Sequence, residues 1–264
     1  MNNLEIKMLE TLKSLKEDFG VTAVKAEFEA EGTRIDELLR LVEIIRKLNL
    51  KLGIKIGGCE AIKDLMECKQ IGVDYIIAPM VETPYALKKF IEAKNKIYQK
   101  EELERTDFLI NIETHTSVKN IDKMIKINNL SKNPISGFVF GRVDYTLSCG
   151  LGREQINLSS KVTNSVLKVS KKAKKNNLDL VVGGAVSIAA LNVLKKINKI
   201  HLTRFETRKI IFDNTSLEYN DISKGLLKAV SFELLWLKNK KNYYGEIFKE
   251  DDKRISMLSK RWKI

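Results

Sequence analysis

The chain has 264 residues, 44% of them hydrophobic and 31% charged, the make-up of an ordinary globular protein long enough to bury a full core. No uninterrupted apolar run approaches the ~20 residues that cross a bilayer, and Met1-Asn-Asn-Leu-Glu-Ile begins no secretory signal, so a cytosolic protein without a membrane partner is expected. The net charge of +13 is spread as lysines over most of the predicted helices, as in Lys171-Lys-Ala-Lys-Lys175, with few aromatics among them; it is read as a solvated surface and not as a nucleic-acid interface.

Three cysteines, Cys59, Cys68 and Cys149, form no CxxC pair and are expected to be reduced thiols. With His115 and His201 the only histidines, a multi-histidine metal cluster is excluded.

In chain order, residues 2–18 have helical apolar spacing and stop before Gly20. A unit then repeats: a short apolar run, a polar or glycine turn, and an amphipathic segment. Strands are predicted near 21–28, 51–57, 75–79, 107–113, 135–141, 179–184 and 201–206, with Lys209-Ile-Ile-Phe-Asp213 as the candidate eighth. Helices are predicted near 33–48, 59–71, 84–98, 117–129, 157–176 and 187–197. From about 221 a long helix is expected, containing Leu226–Val230 and Phe232–Trp236, with a basic tail behind it. Such alternation calls for a parallel sheet covered by helices.

The strand faces select between closed and open sheets. A parallel sheet covered on both sides is normally apolar on both. Here Lys25, Glu27 and Glu29 oppose Val24, Ala26 and Phe28; Gly53, Lys55 and Gly57 oppose Leu52, Ile54 and Ile56; Asn111 and Glu113 oppose Ile110 and Ile112; and Arg204, Glu206 and Arg208 share one face. A barrel with a polar interior gathered at its C-terminal mouth accounts for this, and no GxGxxG turn follows the first strand. The expected architecture is a single (β/α)8 TIM-type barrel domain over 21–215, with an N-terminal helix (1–20) and C-terminal helices with a basic tail (216–264).

Glu113 and Asp144 sit at or just past the ends of consecutive predicted strands, which would set two carboxylates side by side at one rim. That suits one hard divalent cation, Mg2+ or Mn2+, able to chelate an α-keto acid; helix capping by Glu113 and a turn at Asp144 explain the spacing equally well. Lys55 points inward and runs into Gly57-Gly58. It can hold a carboxylate, stabilise an enolate or, with a depressed pKa, form a Schiff base; an ion pair with Glu27 or Glu60 is the plainer alternative. Glu27 and Glu29 face the mouth as candidate bases, whereas Glu31 reads as solvated loop. His115, two residues beyond Glu113, is a weaker acid/base candidate, and His201, near a strand start, belongs at the opposite end. Gly183-Gly184 would admit an anion to backbone N–H groups, or simply allow tight packing.

In sequence order, Gly72-Val-Asp-Tyr-Ile-Ile-Ala-Pro-Met-Val-Glu-Thr83, Ile110-Asn-Ile-Glu-Thr114 and Gly137-Phe-Val-Phe-Gly-Arg-Val-Asp-Tyr-Thr-Leu-Ser-Cys-Gly150 resemble the HpcH/HpaI aldolase and citrate lyase β-subunit family, over about residues 21–190. The resemblance implies a metal-dependent barrel of the phosphoenolpyruvate/pyruvate superfamily, with Glu113 and Asp144 as metal ligands. It also implies departures. The family's base histidine is Ala30, its enolate-holding arginine is Lys55, the Gln before its metal glutamate is Asn111, and the Pro after the fifth-strand Gly141 is Arg142. The expected reaction is a metal-dependent carbon–carbon lyase or aldolase step on a small α-keto acid such as pyruvate or oxaloacetate. Lys55, Asn111, Gly141, Arg142 and Arg204 are the expected substrate-binding residues, and Glu27, Glu29, His115 or a metal-bound water the expected proton carriers. The rivals are another superfamily reaction on a phosphorylated or dicarboxylate substrate, and a non-catalytic barrel that has lost its base. The family's habit of packing or exchanging C-terminal helices implies a homo-oligomer; the apolar face of Leu226–Trp236 is compatible with one and equally with closing its own barrel.

Overall fold

The computed structural model describes residues 1–262. Helix α1 (Asn3–Phe19) opens with a capping box in which Asn2 and Glu5 satisfy each other's backbone N–H groups, and closes on Gly20 at φ +66°, a left-handed turn that feeds the chain into the sheet. There follow β1 (Val21–Glu27), α2 (Ile35–Lys47), β2 (Lys51–Lys55), α3 (Ile62–Ile71), β3 (Tyr75–Ala78), α4 (Pro84–Ile97), a single turn α5 (Lys100–Leu103), β4 (Asp107–Ile112), α6 (His115–Leu130) and β5 (Gly137–Gly141). The remaining elements are α7 (Arg142–Ser148), α8 (Ser160–Lys175), β6 (Asp179–Gly183), α9 (Leu191–Asn198), β7 (Arg204–Glu206), β8 (Ile210–Asp213) and α10 (Ile222–Trp262).

The eight strands close in sequence order into a barrel. From β1 to β7 every neighbour is parallel, with registers such as Glu27↔Lys55, Ala78↔Ile110 and Gly141↔Gly183. The last strand departs from the expected parallel pattern: β8 runs antiparallel to both β7 and β1. The reason is length. Only Thr207, Arg208 and Lys209 separate the two strands, and a parallel crossover needs a dozen or more residues. That hairpin therefore lies at the C-terminal mouth, while the chain leaves β8 at the opposite end, where Asp213 pairs with Arg204.

The outward strand faces and the inward helix faces form one continuous apolar shell. Inside the barrel a small second cluster of Ala23, Tyr75, Ile77, Leu109, Val139, Val181 and Ile211 fills the middle and separates the two openings. The expected C-terminal helices and basic tail are a single 41-residue helix, supported past the barrel by pairs such as Lys249–Glu246 at 2.8 Å; Lys263 and Ile264 of that tail lie outside the described residues. Its first half packs along α1 through Leu226, Ala229, Phe232 and Trp236, and Gly225 lies so close to the Phe19 ring that a Cβ there would approach it to 2.7 Å. No described helix is long and apolar enough to cross a membrane.

Candidate active site

Above the apolar plug the barrel opens into a cavity of about 500 Å3. The inward positions of the strands supply it: Lys25 and Glu27 from β1, Lys55 from β2, Asn111 from β4, Val139 and Gly141 from β5, Gly183 from β6 and Glu206 from β7. Glu29, Ala30, Met80, Glu113, Asp144, Arg153 and the Thr207-Arg208 hairpin add the rim, and α10 leans over it with Val230 and Glu233. Alternation along each strand is what puts the strand-borne groups on one side.

Glu113 is the most closely held carboxylate. It is 1% exposed, its Oε1 accepts the Met80 N–H at 2.9 Å, and its Oε2 accepts a short hydrogen bond from Asn111 Nδ2. Met80 reaches that position with φ at +51°, a left-handed conformation unusual for a residue with a side chain, directly beside the carboxylate it orients. Gly141 faces Glu113 closely enough that a Cβ would lie 2.9 Å from both its Cβ and its Oε2. Asp144, in the first turn of α7, also lines the cavity and is half-buried; no hydrogen bond or ion pair engages it among the described residues. Asn111 Oδ1 and Glu206 Oε2 are buried acceptors without a donor.

The cations are paired. Lys25, within the barrel, makes a short ion pair with Glu206 and lies 3.5 Å from Glu27. Lys55 lies 3.0 Å from Glu29 and 3.6 Å from Glu113. For both lysines burial favours the neutral form, but the surrounding carboxylates outweigh it and hold the pKa above the usual lysine value. Lys55 is therefore held towards its charged form, the opposite of the depressed pKa that a Schiff-base lysine needs. At the rim Arg208 reaches Glu31 at 2.8 Å and Glu27 at 3.5 Å, and Lys209 is buried against Glu31. Burial opposes ionisation of Glu31, yet Lys209 and Arg208 hold it below the usual carboxylate range, so Glu31 is an organised part of the rim and not the solvated loop expected from sequence.

Three of the sequence-derived candidates are placed elsewhere. Arg204 begins β7 and so lies at the N-terminal end, below the plug, bonded to Asp179 at 2.6 Å with its guanidinium 4.4 Å from the Tyr75 ring; it cannot meet a ligand at the mouth. Arg142 is fully buried, and its guanidinium donates to the carbonyls of Gly183, Gly184 and Ala185 and to Asn157 Oδ1. It braces the loop behind the cavity instead of binding substrate, and burial lowers its pKa to about 10. His115 is exposed at the start of α6, outside the cavity lining, with its backbone N–H bonded to Ser148 Oγ at 2.9 Å. Lys25, Arg153, Glu206 and Glu233 line the cavity but were not among the sequence-derived site residues. Lys25 and Glu206 were legible from strand alternation; Glu233 was not, because it arrives from a helix some ninety residues beyond Asp144.

The sequence profile of the HpcH/HpaI aldolase/citrate lyase family matches residues 22–207, which spans β1 to β7 and every strand-borne group of the mouth. The chain belongs to this family. Among solved structures, an HpcH/HpaI aldolase from Desulfitobacterium hafniense superposes with a TM-score of 0.59 at 14% identity, covering 84% of this chain and 86% of that one. An HpcH/HpaI aldolase/citrate lyase family protein from Burkholderia cenocepacia gives 0.56 at 14% identity, over 86% and 99% of the two chains. RipC from Yersinia pestis gives 0.51 at 11% identity, over 81% and 88%. At such identities these likenesses establish the aldolase/citrate-lyase-type fold alone. No curated protein matches the sequence.

Proposed function

We propose that the protein is a divalent-metal-dependent carbon–carbon lyase or aldolase acting on a small α-keto acid of the pyruvate or oxaloacetate type, with Mg2+ or Mn2+ held by Glu113 and Asp144. The observation that carries this reading is the charge balance of the mouth. Six carboxylates, Glu27, Glu29, Glu113, Asp144, Glu206 and Glu233, line it against four cations, Lys25, Lys55, Arg153 and Arg208. The surplus of two negative charges matches one divalent ion.

The donor set fits that ion. Glu113 is aimed by two N–H donors, no hydrogen bond or ion pair engages Asp144 among the described residues, and Asn111, which bonds Glu113, has an orphaned Oδ1. Lys55 lies nearer to Glu29, at 3.0 Å, than to Glu113, at 3.6 Å. When bound, the ion supplies Lewis-acid polarisation of the substrate carbonyl. Lys55, held protonated, adds positive charge where negative charge develops on the substrate oxygen. Gly141 and Gly183 leave room above the plug, and Ala30, Val139, Val143 and Val186 line the chamber with apolar groups.

The test is deuterium wash-in from D2O into the methyl group of pyruvate. Exchange should depend on Mn2+, stop with a chelator and disappear in Asp144→Ala, a variant expected to keep its Tm because no hydrogen bond or ion pair engages Asp144 among the described residues. Mn2+ binding without exchange or turnover across a panel of keto acids would make the protein a non-catalytic barrel. No Mn2+ binding at all would overturn the metal assignment.

A further inference from the structure

Enolate chemistry needs a group that takes a proton from carbon or oxygen and returns it, and a carboxylate locked in place by a cation or by N–H donors is less free to reach a reacting atom. Four of the six cavity carboxylates are locked in this way. Glu27 lies between Lys25 and Arg208, Glu206 is bound to Lys25, Glu29 to Lys55, and Glu113 to Lys55, Asn111 and the Met80 N–H. Asp144 is the second proposed metal ligand. Glu233 remains, with no hydrogen bond or ion pair among the described residues although it lines the cavity.

Its placement is fixed by the helix that carries it. Phe232 and Trp236, at most 2% exposed, seat α10 against the barrel, and this turns Val230 and Glu233, one helical turn apart, over the mouth. We propose that Glu233 is the proton-transferring acid/base of the reaction proposed above, a reading on which this inference rests.

The charged groups that face Glu233 are Arg208 and Lys209 from the β7–β8 hairpin and Glu31 and Glu27 from β1 and its loop. Burial is the largest influence and favours the protonated form. The two cations oppose it, but both are already engaged by Glu31, and Glu31 and Glu27 add repulsion, so the Glu233 carboxyl lies above the usual carboxylate range. In the exchange step the Glu233 carboxylate takes a proton from the methyl carbon of pyruvate. The C–H electron pair moves into the enolate, and the neutral acid then returns a proton to the same carbon, so no atom or electron is gained or lost. In cleavage the Glu233 carboxylate takes the proton of the substrate hydroxyl as that oxygen becomes a carbonyl and the carbon–carbon electron pair moves into the enolate, and the same acid then gives that proton to the enolate carbon.

The test compares wild type, Glu233→Gln and Glu233→Asp, each loaded with Mn2+, for deuterium exchange into pyruvate and for binding of oxalate, which occupies the site without needing a proton. Glu233→Gln should lose about 10²- to 10⁴-fold in exchange rate with oxalate and Mn2+ affinity unchanged, and Glu233→Asp should restore part of it. In metal-free protein with 13C-labelled glutamate, one carboxyl resonance should titrate above the ordinary range and vanish in Glu233→Gln. Exchange at the wild-type rate in Glu233→Gln, or an ordinary titration for that resonance, overturns the role of Glu233 and leaves the metal-dependent lyase standing. Wild-type protein that binds Mn2+ but exchanges nothing overturns the lyase reading itself.

Discussion

Gly141 shows how one absent side chain shapes the site. Its backbone, at φ −83°, is open to any residue, so glycine is required there by proximity to Glu113 and not by backbone strain. Gly141→Ala would push against the Cβ and Oε2 of Glu113, each 2.9 Å from the new methyl group. The expected result is a Mn2+ affinity lower by about tenfold or more, as when an orienting contact of a metal ligand is lost. Gly58→Ala, where nothing lies within 4 Å of the added atom, is the matched control and should bind normally. Equal Mn2+ affinity in the two variants, read by isothermal titration, would remove Gly141 from the site. At the same scale Lys55 illustrates the limit of reading one residue: its inward direction follows from strand alternation, but its protonation follows from Glu113 and Glu29, which lie on other segments.

Three helices meet at one carboxylate. Glu5 of α1 is 2% exposed and receives Arg40 of α2 through two hydrogen bonds, at 2.9 and 2.6 Å, together with Asn239 of α10 at 3.4 Å. The Arg40 hydrogen bonds are the main cause that holds the Glu5 carboxyl at about 2. A carboxyl depressed on folding contributes stability that is present above its ordinary pKa and is lost as pH falls through the folded value. From about pH 5 down to 2 the wild type should therefore lose about 2 kcal/mol through this group, allowing for the partial exposure of Arg40. Glu5→Gln should be less stable at pH 7 and show a correspondingly flatter loss, measured by urea unfolding across that range. Identical slopes would show that the tie of α1, α2 and α10 rests on packing alone. The β7–β8 hairpin is another product of the element scale. Its three-residue connection decides strand direction, and strand direction in turn delivers Arg208 and Lys209 to the mouth.

Across the whole molecule the most unusual part is α10, whose 41 residues would extend about 60 Å, well beyond one barrel height. Its buried positions end at Asn239, and Tyr243 and Tyr244 reach back to Asp36 and Glu37 of α2. Beyond Gly245 the described side chains are almost all exposed, among them Phe248, Ile255 and Trp262. Truncation after Gly245 should therefore leave the Tm of the barrel unchanged in a thermal melt. A fall of several degrees would mean that the distal half supports the fold after all.

The sequence by itself determined what is local and periodic. The alternation of short apolar runs with amphipathic segments set the element order, and the two-residue period separated a greasy strand face from one bearing Lys25, Glu27, Lys55, Asn111 and Glu113. The same reasoning, carried one step further, places Arg204 at the far end with His201, since both come early in their segment. Tertiary structure decided what depends on partners distant in the chain. It buried Arg142 under the carbonyls of Gly183 to Ala185, aimed Glu113 through Met80, and turned Glu233 over a mouth built from strands that end nearly thirty residues before it. Burial and charge pairing are properties of neighbours, and periodicity names a residue's face without naming what will stand opposite.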